Sequence, residues 1–383
     1  MSGLRYQWLT LRPVVLAFAL LLLFNRAGRA EWVQTLTADV PRTPKIFALT
    51  VAGPHLLAGF ESGVFRSSDR GNTWIHPRIG QSDYPSVLSL ATRNSTVFAG
   101  TGGGGVYRSA DYGLTWTQAG LIGEHVTSIV PLEVSLLAVT GSNGVFRSVD
   151  EGATWIRSIA EGVNIKVIAV SSAFLFGGTA RGLYRSSDNG VSWVHVPFAV
   201  GLSDPAIGSI AVLGTTLFAH AHQTLYRSDD NGGTWNKTPL EATYIQVLTV
   251  NDRDLFVVSD RGLFRSSDRG GTWVRIDSGL APSVNYPPNI FCLAIGGGNL
   301  FAGVSQEGVW RRPLSEISTA ILSTRTSGSK VNSRYRGYLG TPGIIPGMAG
   351  ILQTGPTTGF HVNGRPIALP ERLLPLVRSP LPK

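Results

Sequence analysis

The sequence predicts an all-β protein, a seven-bladed β-propeller of four-stranded blades closed by its N-terminal strand. Three observations predict it. A twelve-residue motif recurs six times, two short apolar segments precede each copy, and a seventh set of strands is split between the two ends of the repeat region. The motif aspartates fall 38 to 42 residues apart, which is the length of one four-stranded blade.

The motif is seen most fully in Gly63-Val64-Phe65-Arg66-Ser67-Ser68-Asp69-Arg70-Gly71-Asn72-Thr73-Trp74, and its later copies end at Trp116, Trp155, Trp193, Trp235 and Trp273. Its aspartates are Asp69, Asp111, Asp150, Asp188, Asp230 and Asp268. The Gly-Val-Phe-Arg-Ser part reads as a third strand, and the tryptophan opens a fourth. Ahead of each copy stand two inner strands joined by a polar turn, such as Val87–Ala91 and Thr96–Gly100 in the second blade. Runs of about five β-branched and aromatic residues, punctuated by Gly, Asn, Ser or Asp, are the signature of hairpins.

After the sixth motif, Ile290–Ile295, Asn299–Val304 and Gly308–Arg312 supply three more strands, but Pro313-Leu314 replaces the turn. The missing fourth strand lies at the other end, in Glu31-Trp32-Val33-Gln34-Thr35, which carries the tryptophan without a preceding motif. The N-terminal strand is therefore expected to complete the seventh blade.

Composition agrees with many tight turns, with 46 glycines and 22 prolines in 383 residues. The single cysteine, Cys292, excludes an intramolecular disulfide and a cysteine zinc site. It lies in an apolar run and reads as a small buried side chain. Net charge is +9, yet no dense Lys/Arg run supports nucleic-acid binding, and none is expected. Residues 325–383 carry eight of the basic residues against one glutamate. Residues 315–383 break the repeat pattern and read as a flexible basic extension.

Residues 1–30 read as a signal peptide. Arg5 and Arg12 precede an apolar run from Val14 to Phe24, and Gly28 and Ala30 suit cleavage after Ala30. The run is short for a membrane span, so export outside the cytoplasm is expected, with a retained signal anchor as the alternative. Such an anchor, or the basic tail, would hold the protein near a membrane. A monomer is expected.

The pattern Ser-x-Asp-x-Gly-x-Thr/Ser-Trp, at Ser67–Trp74, Ser109–Trp116, Ser148–Trp155, Ser186–Trp193, Ser228–Trp235 and Ser266–Trp273, resembles the Asp-box, or BNR, repeat. That family includes sialidases, xyloglucan-active glycoside hydrolases, sortilin-type receptors and photosystem II assembly factors. The resemblance implies that the six aspartates are scaffold. An Asp carboxylate in such a turn can accept turn amides, and the glycine can take a left-handed conformation. The repeated arginines, Arg66, Arg108, Arg147, Arg185, Arg227 and Arg265, also read as scaffold.

Function is then expected where the chain does not repeat. If the first-hairpin turns and the motif turns share one end of the ring, the blade-joining loops and the second-to-third turns form the other. Candidate binding residues there are Glu61, Asp83, Tyr84, Glu124, Asp204, Glu241, Asp277, Tyr286 and Glu307, with Asp260 a further acid on that face. Tyr84 and Tyr286 sit beside prolines on the longest loops and suit stacking or anchoring. The favoured reading is a noncatalytic binding or assembly scaffold for a protein or carbohydrate, without cofactor or metal. The alternative is a glycoside hydrolase, which needs two of these carboxylates to converge across a glycosidic bond. No Arg-Ile-Pro element of the sialidase kind is present. His220 and His222 lie at period two but lack an evident third metal ligand. Asn94-Ser95-Thr96 and Asn236-Lys237-Thr238 match glycosylation acceptors.

Because the aspartates are read as scaffold, Asp69→Ala is expected to lower the thermal unfolding midpoint. An unchanged midpoint would contradict the structural assignment.

Overall fold

A small twisted sheet that is apolar on both faces is stable only when both faces are covered, and each repeat here yields such a sheet. The solution is a ring. The computed structural model describes residues 31–36, 45–80, 85–158, 163–198, 204–280 and 287–317. The expected export signal and most of the expected basic extension lie outside the described residues.

Seven antiparallel sheets follow one another around an axis. Their inner strands are Ile46–Ala52, Val87–Arg93, Val126–Pro131, Ile165–Val170, Ile207–Leu213, Ile245–Val250 and Ile290–Gly296. Blade 2 shows the full pattern, continuing through Thr96–Thr101, Val106–Ser109 and the short outer strand Thr117–Gln118. In blade 1 the outer strand is reduced to a single bridge between Arg66 and Ile75. Blade 7 is closed as the sequence predicts: Val33–Leu36 pairs antiparallel with Gly308–Pro313, with Val33 opposite Arg311 and Gln34 opposite Trp310.

The apolar core is divided into seven clusters, one at each interface between neighbouring blades. The first half of each second strand carries a large, buried side chain: Leu57, Phe98, Leu137, Phe176, Phe218, Phe256 or Phe301. The motif tryptophans pack back toward the preceding blade. Trp74 joins the cluster between blades 7 and 1, Trp116 the next, and so on to Trp273 between blades 5 and 6. Trp32 takes the seventh place, between blades 6 and 7, and its indole N–H donates to the Ile276 carbonyl at 2.9 Å. A single helical turn at 314–317 follows the last strand, and Ile317 is fully buried in that same cluster.

The repeated arginines reach forward as the tryptophans reach back. Arg66 donates to the Tyr112 carbonyl at 2.8 Å, Arg147 to that of Asn189 at 3.2 Å, and Arg227 to that of Arg269 at 3.2 Å. In each case the acceptor lies in the motif turn of the next blade. Arg311 makes the same contact across the chain's seam, 2.7 Å from the Arg70 carbonyl. Arg108 instead pairs with the Glu151 carboxylate, in the equivalent turn of blade 3. Arg185 and Arg265 turn to their own blades, over the Phe174 ring and onto Asp254 respectively.

The closing blade thus reuses the tryptophan contact of the motif blades and, through Arg311, the forward arginine contact of blades 1, 3 and 5. Trp32→Ala, which removes a buried aromatic from it, is expected to cost about 3–5 kcal/mol. Urea unfolding of the full chain measures this, and a loss within experimental error would show that the N-terminal strand does not hold the ring closed.

Candidate functional site

In an antiparallel four-stranded blade the chain reverses three times, so its turns divide between the two ends of the ring. The first-hairpin turns and motif turns lie at one end. At the other, the second-to-third turns are tied by backbone hydrogen bonds to the blade-joining loops, as in Gly102 N–H to Ser86 O at 2.9 Å, Gly182 N–H to Pro205 O at 3.0 Å, and Asp260 N–H to Tyr244 O at 3.1 Å.

The motif turn is a closed hydrogen-bond system. In blade 1 an Asp69 carboxylate oxygen accepts from the Ser67 hydroxyl and the Thr73 amide, both at 2.8 Å, and the second oxygen accepts from the Thr73 hydroxyl at 2.7 Å. The Ser67 hydroxyl in turn accepts the Gly71 amide at 2.7 Å. Gly71 has φ +92°, and a Cβ there would stand 2.9 Å from Thr35 Oγ1 on the closing strand. The same Ser–Asp–Thr/Ser bonding recurs at Asp111, Asp150, Asp188, Asp230 and Asp268. The amide and hydroxyl of Thr73 hold Asp69 at about 2, below the ordinary 3.8. Thr154 and Thr234 do the same for Asp150 and Asp230. A carboxylate with its acceptor sites filled in this way is a turn brace, not a proton donor.

The nonrepeated acids are spread over different blades, and each has its own partner. Glu61 faces Lys45 at 3.9 Å, Asp204 accepts from His195 at 3.0 Å, and Glu241 pairs with Arg261 at 2.8 Å. Glu124 accepts from the Asn143 amide group at 2.8 Å. Asp260 caps the loop opposite it, accepting from the Thr243 hydroxyl and from the Thr243 and Tyr244 amides. Glu307 contributes its carbonyl, 2.6 Å from the Gln34 side chain, to closing blade 7. Asp277 differs from the expectation of an exposed acid, because it is fully buried. Arg275 grips its carboxylate through two nitrogens at 2.8 and 3.0 Å, turning it into the outer strand of blade 6. Asp83, Tyr84 and Tyr286 lie outside the described residues.

The large concavity is at the other end. A cavity of about 930 Å³ opens on the axis where the inner strands run out into the first-hairpin turns. Thr50, Thr92, Asn94, Ser171, Ser172 and Phe174 are part of its wall, and Arg93 and Glu133 are the charged side chains that line it. Much of its polar surface is already used: Arg93 donates to the Leu132 carbonyl at 3.1 Å and to Glu151 at 3.0 Å, and Ser171 bonds the Phe174 carbonyl at 2.9 Å. Sequence reasoning did not single out this region. Its one signal was the nonrepeated polar residues of the first-hairpin turns, among them Asn94 of the glycosylation sequon.

His220 is 8% exposed and its Nε2 finds no partner. Burial pushes it down to about 4. Among the described residues no cluster of three metal-ligating side chains includes it or His222. Cys292 is buried, its thiol directed at the Ile46 carbonyl at 3.5 Å, and burial pushes its pKa up.

With this geometry in hand, comparison with known proteins gives a consistent picture. Residues 158–290 match the family described as the DUF6242 beta propeller domain. No curated protein matches the chain. YCF48 in complex with a D1 peptide superposes with a TM-score of 0.60 at 16% identity, over 74% of this chain and 96% of that one. PorZ, a surface component of the type-IX secretion system of Porphyromonas gingivalis, gives 0.58 at 14% identity, over 74% of this chain and 38% of its own. A GH74 xyloglucanase from Xanthomonas campestris gives 0.51 at 16% identity, over 71% and 52%. The likeness is one of fold. At this identity the shared propeller holds binding proteins and an enzyme alike.

Two pH effects follow from the site. Five of the motif aspartates, Asp69, Asp111, Asp150, Asp188 and Asp230, stabilise the ring fully above their unfolded value of 3.8, and that stability is lost as pH falls toward about 2. His220 acts in a separate window, because stability is complete above 6.5 and declines as pH falls toward about 4. Thermal midpoints measured across both windows are expected to show two declines, and His220→Gln reduces the upper one, to which His55 and His76, also lowered by burial, contribute.

Proposed function

We propose that the chain is an exported, noncatalytic binding or assembly scaffold of the Asp-box type, engaging a protein or glycan at the blade-joining end of the ring. The observation that carries this reading is the dispersion of the carboxylates. Hydrolysis of a glycosidic bond needs two acids facing each other across the substrate, about 5 to 9 Å apart. The candidate acids instead engage local groups, Glu61 facing Lys45, Glu124 bonding Asn143, Asp204 bonding His195 and Glu241 pairing with Arg261. Where Glu241 and Asp260 share a blade boundary, Asp260 is taken up by Thr243 and Tyr244. The axial cavity offers a single carboxylate, Glu133. A ring that brings loops from seven blades to one end is suited to holding a partner. The YCF48 structure, in which a propeller of this shape carries a peptide, supports the reading. The apolar N-terminal run supports export.

The test is incubation of the full chain with a library of sialylated, neutral and plant-type oligosaccharides and with peptides, reading both retained ligand and new products by mass spectrometry. Retention without cleavage is expected. New products from any glycan would overturn the noncatalytic reading.

A further inference from the structure

Each of the seven inner strands contains one β-bulge, at its second residue. In blade 1, Ile46 pairs with Phe60 and Ala48 with Gly59, leaving Phe47 without a partner in register. The same shift isolates Leu88, Thr127, Lys166, Gly208, Gln246 and Phe291. The consequence can be read from the cores. Ile46 and Leu49 belong to the cluster shared with blade 7, whereas Ala48 belongs to the one shared with blade 2. Blades 4 and 6 repeat this, with Ile165 and Ile168 facing back and Val167 forward, and Ile245 and Leu248 facing back and Val247 forward. The bulged residue therefore falls between the two packed faces, on the strand edge that borders the channel. Phe47, Leu88 and Phe291 are in none of the seven clusters, and Phe47 and Phe291 meet edge to face across the blade 7–blade 1 boundary at 6.5 Å.

Where the ring itself dictates a position, the residue repeats, as with the motif Asp, Trp and Arg. Here the position repeats and the residue does not. We propose that the seven bulged residues form a ligand-reading rim at the blade-joining mouth of the channel, and that its ligand is an extended peptide bearing an apolar side chain and a carboxylate. The inference rests on the binding function proposed above and deepens it. Phe291, Phe47 and Leu88, on three consecutive blades, make an apolar arc. Lys166 and Gln246 stand across from it on blades 4 and 6, whereas Thr127 of blade 3 is buried with its hydroxyl donated to the Val139 carbonyl at 3.3 Å. Lys166 is the one charged member, its ammonium held 2.7 Å from the Gly141 carbonyl. A bulge also leaves backbone groups out of the ladder, free for a peptide's own amides. A sugar is the poorer fit, because Phe291 is 8% exposed and meets Phe47 by its edge, so it offers no open ring face for stacking.

Blade 5 adds an independent feature. Its bulged residue is Gly208, which leaves a gap in the rim, and His220 stands behind it, Nδ1 being 3.7 Å from where a Gly208 Cβ would be. The residues equivalent to His220 in four other blades are Gly59, Gly100, Gly178 and Gly303. A Cβ at Gly59 would come within 2.7 Å of Val87 on the next inner strand, so the fold favours a small residue at this position. Blade 5 instead buries an imidazole whose Nδ1 faces the gap, while its Nε2 has no partner.

The full chain is panned against a display library of random peptides, alongside the double variant Phe47→Ser/Leu88→Ser, Lys166→Glu, and Ser172→Trp at the opposite end. Enriched peptides are expected to combine an apolar residue with Asp or Glu. The double variant weakens them by about tenfold or more, Lys166→Glu reverses the preference toward basic peptides, and Ser172→Trp changes nothing. All variants keep the wild-type thermal midpoint to within a few degrees, and loss of folding in the double variant would contradict its placement outside the cores. Peptide binding that survives both rim variants, or is lost only in Ser172→Trp, overturns the rim. Glycan retention without peptide enrichment overturns the peptide ligand and leaves the binding scaffold standing. Silence with both libraries overturns the two together.

Discussion

The ring depends on the turn in which a serine and an aspartate organise the backbone so that a tryptophan reaches one neighbour and, in four of the six motif blades, an arginine reaches the other. The aspartate fixes the turn by accepting from the Ser67 and Thr73 groups, and the turn sets Trp74 against blade 7, where its indole donates to the Thr35 carbonyl at 3.0 Å. The same turn presents a carbonyl outward, and Arg311 takes it. A single blade cannot bury its own apolar faces and is stable only when neighbours stack on them. The turn repeats in six blades, Trp32 supplies the tryptophan of the seventh, and Arg311 reaches from the seventh to the Arg70 carbonyl of the first, 241 residues away.

This economy separates two kinds of position. The motif residues, the second-strand Phe or Leu and the first and fourth residues of each inner strand are fixed by neighbours on both sides. The bulged positions and the blade-joining loops are held in place by the ring but are not specified by it. In a repeat protein such positions are where chemistry can vary at little cost to the fold. The Asp277–Arg275 pair shows that loop position alone does not make a residue free: it reads as an exposed loop acid in sequence but is fully buried in the ring.

The fold was largely legible because its signals are periodic. Strand order, seven blades and the role of Trp32 all follow from counting motifs and finding one fourth strand missing. Partnership was not legible. Glu124 with Asn143, and Asp204 with His195, join residues whose proximity depends on how adjacent blades dock. The bulges were hidden for a different reason. In Ile46-Phe47-Ala48-Leu49 all four residues are apolar, so a one-residue shift in register leaves no trace in the hydrophobic pattern. The axial cavity escaped notice because its wall is largely strand ends and turn backbone, which carry no side-chain signature.

The central claim is that closure by the N-terminal strand makes the seven blades one cooperative unit. Native-state hydrogen exchange on the full chain, resolved by peptide, tests it most directly. The account predicts that the amides of 33–36 exchange with the same opening free energy as the inner strands of blades 1, 6 and 7. Fast exchange at 33–36 with the inner strands still protected would contradict it, showing a ring that stands without its closing strand.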